Sequence, residues 1–288
     1  MSFLGTALTI VTSSFALAGV TWTLASTDDG RIKALLWWCI GITAAGGYVV
    51  FEMKKREFRE VRYARALESA HKSHHLLRDA SYERYIAHGS QAAWKPIVEE
   101  SLRAFSESFS IATGAPCHAT IKIVADPSGG AAASQSVNDY IVETFARSSP
   151  RQHVQRGGVP ANTVGRNTDF RALFSPDADN RCWYHNDLLQ LDDAVYDNPH
   201  WPERPSVRNV PYRSTMVWPI RKVLRQSSPT TPQELYLRGF LTVDSKEPNI
   251  LDYDRHFDLG AAYADNLVPV LWDPKELKRL NDELNRKK

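Results

Sequence analysis

The side chains best suited to chemistry crowd into one stretch, Arg181-Cys182-Trp183-Tyr184-His185-Asn186-Asp187. A thiol at Cys182 deprotonated by His185, with Asp187 orienting the imidazole, would make a nucleophile. The same Cys-x-x-His spacing supplies two zinc ligands, and His153 or His200 could complete a set of four. A second group, His71, His74 and His75, falls at i, i+3 and i+4 of a helical stretch. One helix face then carries all three, able to hold a transition metal, to respond to pH, or simply to be solvated. Trp183, Tyr184, Trp201, Tyr212 and Trp218 could line an aromatic pocket or form core, and Arg213 and Arg238 could neutralise an anionic ligand. No HExxH, GxSxG, Walker A or GxGxxG pattern occurs. Most common enzyme classes therefore lose their sequence handle, and an enzyme built on Cys182, His185 and Asp187 ranks behind a binding module.

These residues need elements to position them. Trp94, Ile97, Val98, Leu102, Phe105 and Phe109 recur at helical spacing and predict a helix from Gly89 to Ile111. Beyond Gly114 the period becomes alternating. Strands are expected over Cys117–Pro127 and Asp139–Ser149, joined as a hairpin by an Ala/Ser-rich loop, then over Arg213–Val223 and Glu234–Ser245. Between the pairs, residues 160–212 are irregular and Pro-rich, with a helix-like Thr168–Phe174; such segments commonly bind ligands. In Arg213–Val223, Ser214, Met216 and Trp218 share one face and Thr215, Val217 and Pro219 the other, and alternation alone leaves open which meets the helices. A helix over Asp252–Leu271 closes the domain, with Phe257, Leu259, Ala261, Tyr263 and Leu267 including its core-facing set. Asp273, Pro274 and Glu276 then start a C-terminal helix over 273–288. The order is that of an α+β fold with an antiparallel sheet.

The runs STMVWPI, LRGFLTVDS and LDYDRHFDLGAAYADNLVPV resemble the C-terminal half of a GAF domain. Pro219 and Ile220 match the end of one family strand, Gly239 to Ser245 the next, and Asp254 the acidic residue opening the last helix. The resemblance covers residues 90–272, with recognisable motif in the last 60 or so. It implies a six-stranded or similar antiparallel sheet, helices on one side, a small-molecule pocket on the other, and a sensory or regulatory role. Asn186 and Asp187 carry over as pocket edge. The expected ligand-binding set is Phe170, Trp183, Asn186, Asp187, Arg213 and Thr215, with the ligand and any cofactor unidentified. The signature of cyclic-nucleotide-binding members is not intact, because Ile250 follows Asn249 where Lys is expected and Leu251 replaces Phe.

The N-terminal region has a different character. Phe3–Ala25 and Ala34–Phe51 are two runs without a charged side chain, separated by Ser26–Lys33. Each is long enough to cross a hydrocarbon layer of about 30 Å, so residues 1–53 are expected to form a transmembrane helical hairpin. Lys54, Lys55, Arg56, Arg59, Arg62 and Arg65 follow the second run and place the large C-terminal part, with the N-terminus, on the cytoplasmic side of a cell inner membrane. Residues 54–89 then form a helical stalk, whose Phe58, Val61, Ala64, Leu67 and Leu76 with Leu77 could pair with a second copy in a homodimer.

Taken whole, the 288 residues have an ordinary globular balance: 43% apolar, 24% charged, net charge +2, three scattered cysteines. That balance gives no drive toward nucleic acid and no disulfide framework. The partners expected are a lipid bilayer and a small molecule. The leading expectation is a membrane-anchored bacterial sensory module for a GAF-type ligand. The alternative is a membrane effector whose ligand-bound domain oligomerises and perturbs the bilayer.

Overall fold

The computed structural model describes residues 28–86, 90–125, 137–149, 162–173, 181–191, 196–199, 201, 206–208, 210–223 and 235–272. The first apolar run and the C-terminal helix expected over 273–288 lie outside them. The chain divides into two compact units, Met1–Tyr63 and Ala64–Lys288.

In the first unit, the loop expected over Ser26–Lys33 is already helical from Asp28, the start of α1 (Asp28–Ile86). Among the described residues this is one helix long and apolar enough to cross a membrane by length and composition. Trp37, Ile40, Val50, Phe51 and Met53 are all exposed on it. The basic flank is interleaved with acids: Lys54 pairs with Glu57 at 2.7 Å and Arg56 with Glu60 at 3.1 Å, on solvated faces where such pairs contribute little.

The second unit is α+β. The helix α2 (Gln91–Thr113) buries the expected stripe of Trp94, Val98, Leu102, Phe105 and Phe109, and stops where Gly114 takes a left-handed φ of 76° and donates its N–H to the Ser110 carbonyl. Among the described residues five strands follow: β1 (His118–Ala125), β2 (Ile141–Arg147), β3 (Trp183–His185), β4 (Ser214–Val223) and β5 (Leu235–Ser245). They form one antiparallel sheet of order β2-β1-β5-β4-β3. A short α3 (Thr168–Ala172) precedes β3, and α4 (Tyr253–Leu271) follows β5.

One sheet face is dry. Ala119 and Ile121 of β1, Met216, Trp218 and Ile220 of β4, and Leu241 and Val243 of β5 pack with the apolar stripes of α2 and α4. A register shift at Ile121/Lys122 leaves Phe145 as an extra residue in β2, so Phe145 joins its neighbour Ala146 on this face and stacks 5.5 Å from Trp94. The inward side of α4 is His256, Gly260, Tyr263, Ala264, Leu267, Val270 and Leu271. Phe257, Leu259 and Ala261 are only partly buried. The reason is steric: Gly260 faces Trp218, whose ring would lie 2.2 Å from a Cβ there. That close approach fixes the rotation of α4 and turns Phe257, Leu259 and Ala261 toward its flanks.

The segment Ala64–Ile86 of α1 belongs to this unit. Ala66, Ala70, Ser73, Leu77 and Ala80 form a buried stripe of mostly small side chains that admits close helix contact. Ser69 donates to the Ala104 carbonyl at 2.9 Å, and Ser101 to the Ser73 carbonyl at 2.7 Å. Residues 64–86 are thus a layer of the domain, so the boundary expected between stalk and domain at 89/90 moves to about Ala64. Of the stripe read as a pairing seam, Phe58, Val61, Ala64 and Leu67 are exposed, whereas Leu77 is buried in the core of this unit.

Candidate functional site

The second sheet face is built differently. Alternation sends Thr120 and Lys122 of β1, Thr215 and Val217 of β4, and Phe240, Thr242 and Asp244 of β5 to the side away from α2 and α4. In register, His118, Asp244, Thr215 and His185 form one row across β1, β5, β4 and β3. Thr120, Thr242, Val217 and Trp183 form the next. Over these rows lie α3 and the irregular segments around it. Val124, Val142, Val164, Phe170, Leu173, Val217 and Phe240 make a small apolar cluster at one end. Phe170 is fully buried, stacked on Phe240 with ring centres 4.1 Å apart. The Lys122 ammonium sits 4.9 Å from the other ring partner, Phe170 itself, in cation–π contact.

Beside this floor the lining is polar and buried. Lys122, Asp169, Thr215, Thr242 and Asn198 are all buried. Thr215 Oγ1 donates to Asp244 Oδ1 at 2.6 Å, and the Phe170 N–H donates to Asp169 Oδ1 at 2.9 Å. Burial pushes the Asp169 carboxyl up to about 6, against the opposing pull of Lys122 and of that N–H; the Asp244 carboxylate pushes the same way as burial. The segment 196–198 is pinned to α3 by Thr168, whose N–H donates to the Asp197 carbonyl at 2.9 Å and whose hydroxyl accepts from the Asp197 N–H at 2.8 Å. This brings in an aromatic wall. Tyr196 and Tyr212 share a hydroxyl hydrogen bond of 2.9 Å, Asn198 donates to both, and Trp183 and Trp201 pack 5.9 and 5.0 Å from the Tyr196 ring. Burial first, then Tyr212, Asp169 and Asp244, hold the Tyr196 phenol well above its ordinary value, so it is a neutral donor.

The six residues expected to bind ligand divide by position. Phe170, Trp183 and Thr215 belong to this loop-covered face. Asn186 and Asp187 follow β3 and bind backbone, and Arg213, just before β4, holds the Asp187 carboxylate. The Asn186 amide donates to the Leu251 carbonyl at 2.7 Å and accepts from the Leu251 N–H at 3.0 Å, tying β3 to the approach of α4. Asp187 caps a short helical turn through the Leu189 N–H and takes two hydrogen bonds from the Arg213 guanidinium, Nε at 3.0 Å. Arg213 holds the Asp187 carboxyl below the usual carboxylate range. The pair's contribution is therefore complete at neutral pH and is lost only in acid, as pH falls through that depressed value.

The nucleophile and metal readings of the same stretch fail on geometry. Cys182 packs into the helix-side core, whereas His185, two residues along the strand from Trp183, shares the opposite face. Burial raises the Cys182 thiol to about 12, and His185 Nδ1, on the other face of β3, accepts from the Asp187 N–H at 3.2 Å, so this imidazole does not serve the sulfur as a base. His153 and His200 lie outside the described residues. Among the described residues no three His, Cys, Asp or Glu side chains group as metal ligands. Trp218 and Tyr184, two of the five candidate pocket aromatics, also point to the helix side.

Sequence reading missed Lys122, Asp169, Tyr196, Asn198, Thr242 and Asp244. For Lys122, Thr242 and Asp244 the signal is polar residues at alternate positions of β1 and β5, two central strands of the sheet, and only strand order shows that such positions are roofed; Asp169, Tyr196 and Asn198 lie off the sheet and carry no such pattern. A separate groove of about 500 Å³ runs between α2 and the edge strand β2, lined by Lys95, Glu99, Arg103, Thr144, Phe145 and Arg147 among others. No protein-family model matches this chain, and no curated protein matches it.

Proposed function

We propose that the chain is a membrane-anchored, GAF-like sensory or regulatory module, itself non-enzymatic, that holds a small polar ligand on the loop-covered face of its sheet. One observation carries this reading: Lys122, Thr215 and Thr242 of the sheet and Asp169 of α3 are buried beside the half-buried Asp244 on the loop-covered side, whereas the opposite sheet face is largely apolar. Buried charge of both signs costs folding free energy. Such groups are retained where a ligand uses them, and a few convergent polar groups beside aromatic walls are the usual makeup of a small-molecule site. Helices on one face, irregular segments on the other and the motif runs of β4, β5 and α4 support the likeness to GAF domains.

The anchor is a transmembrane hairpin of residues 3–25 and 34–51, with the ligand-binding unit on the cytoplasmic side of the inner membrane. Exposed Trp37, Ile40, Val50 and Phe51 on α1 support it, as do the cations that follow.

The test is native mass spectrometry of the full chain released from detergent, reading any co-purified small molecule. The expected result is a bound mass that Thr215→Val and Asp169→Asn both remove while the protein stays folded. A mass retained in both variants places binding elsewhere and overturns the site. Carbonate extraction tests the anchor, which is overturned if the chain leaves the membrane fraction. In the alternative reading, ligand-bound protein also releases dye from sealed vesicles.

A further inference from the structure

We propose that His71 and His75 form a two-imidazole chelate for a divalent transition metal that favours square or octahedral coordination, copper(II) or nickel(II), on the exposed face of α1. Spacing groups three histidines, but the structure separates them. His74 turns toward α4: its Nδ1 lies 3.1 Å from Asn266 Nδ2, its ring centre is 5.9 Å from that of Tyr263, and it is partly buried. His71 and His75 remain exposed, with their Nε2 atoms 2.8 Å apart and their rings perpendicular.

That 2.8 Å is also an ordinary hydrogen-bond distance, and it sets how far the two nitrogens must part to share a metal. Two imidazole nitrogens held about 2.0–2.1 Å from one metal lie about 2.9 Å apart when the angle at the metal is a right angle, and about 3.4 Å apart when it is tetrahedral. The observed pair fits two adjacent corners of a square or octahedron better than two corners of a tetrahedron. Without metal, one ring donates its Nε2–H to the other. Loading requires both Nε2 lone pairs, so the donor ring releases that proton to solvent and its other nitrogen carries the N–H, the tautomer usual for a ligating imidazole. Water fills the remaining corners, since among the described residues no third ligand joins the group. A bound ion would staple one helical turn of α1 at the position where His74 and Asn266 join it to α4.

Copper(II) titrated into the full chain, purified without a polyhistidine tag, tests this by electron paramagnetic resonance and competition with a chelator. The expected spectrum shows coupling to two nitrogens. His71→Ala or His75→Ala, both exposed and so without effect on folding, should each leave one and weaken binding by about 10- to 100-fold or more. His74→Gln should keep the two-nitrogen spectrum and the affinity, and nickel(II) should bind more tightly than zinc(II). The proposal is overturned if the two-nitrogen spectrum survives in the doubly substituted protein, if His74→Gln weakens binding as much as His71→Ala, or if zinc(II) binds more tightly than nickel(II).

Discussion

The two faces of the one sheet are made from the same strands, residue by residue in alternation, and are covered by different things. Under α1, α2 and α4 the strands present Ala119, Ile121, Met216, Trp218, Ile220, Leu241 and Val243, and the helices return Phe105, Phe109, Tyr263 and Leu267. Polar groups there include partnered ones, as where Tyr263 Oη meets Ser101 Oγ at 2.9 Å or Trp218 Nε1 donates to the Phe257 carbonyl at 3.1 Å, and two buried nitrogens without a hydrogen-bond partner, Trp94 Nε1 and His256 Nε2. Under α3 and the irregular segments, the intervening residues of the same strands are Thr120, Lys122, Thr215, Thr242 and Asp244. The helix face is arranged to be stable. The loop face tolerates a carboxyl whose own burial raises it to about 6, which marks a place where stability is given up for something else. Substitutions on the two faces should then differ in size, and removal of the loop face's buried charge should differ in sign as well.

The largest effect is expected on the helix face. Phe105 is fully buried, stacked 4.1 Å from Tyr263 and edge-on to Phe109. Phe105→Ala removes these contacts and leaves a cavity between α2 and α4, at a cost of about 3–5 kcal/mol. Urea unfolding of the full chain in detergent, followed by tryptophan fluorescence, should show the midpoint fall accordingly. A loss below about 1 kcal/mol would mean that the helical layer is not the seat of stability.

On the loop face, Asp169→Asn should stabilise the protein at neutral pH. A carboxyl raised from its ordinary 3.8 to about 6 binds its proton more readily folded than unfolded. Stability is then greatest below about pH 4 and declines as pH rises toward 6, by at most about 3 kcal/mol, staying low above it. Asparagine keeps the shape without the charge, so the variant should lose that slope and gain up to the same amount at pH 7. Unfolding midpoints of both proteins between pH 4 and 7 decide the matter. Equal slopes would show that Lys122 compensates Asp169 fully and that no stability has been given up there.

Why one face was readable from sequence and the other was not follows from the same contrast. The helix face announces itself by period: Trp94 to Phe109 repeat every three to four residues, and Met216 and Trp218 alternate, so helix and strand positions could be assigned without knowing what they touch. The α+β class and the antiparallel hairpins β1–β2 and β4–β5 came from that signal. The loop face depends on register between distant strands. Lys122 pairs with Phe240 and Thr215 with Asp244, relations between positions more than 25 residues apart that no local pattern encodes. Tyr196 and Asn198 reach the site only because Thr168 holds their backbone. Asn186 and Asp187 drew attention through the resemblance to GAF domains and Arg213 as a cation for an anionic ligand, yet such polar residues are equally what a strand end needs to tie off its hydrogen bonds. The small-residue stripe of α1, Ala66, Ala70, Ser73 and Ala80, has too little apolar weight to stand out beside Phe58, Val61 and Leu67.

The smallest expected change in stability is also the most informative about function. Thr215→Val keeps the shape of the side chain on β4 and keeps its methyl contacts, and removes only the hydroxyl that donates to Asp244 Oδ1. Thr242 Oγ1 lies 3.5 Å from the other carboxylate oxygen and gives that side some support, so the loss should be about 1–2 kcal/mol, within what the helix layer can absorb. If the loop face is a site, this folded variant should nevertheless lose the co-purified molecule, because a ligand that replaces water around Asp244 depends on how that carboxylate is held. Phe105→Ala should lose it only in proportion to the protein unfolded. Parallel loss of ligand and of folded protein in both variants would instead mean that the polar face is core of an unusual composition, stabilised by its own hydrogen bonds and serving no guest.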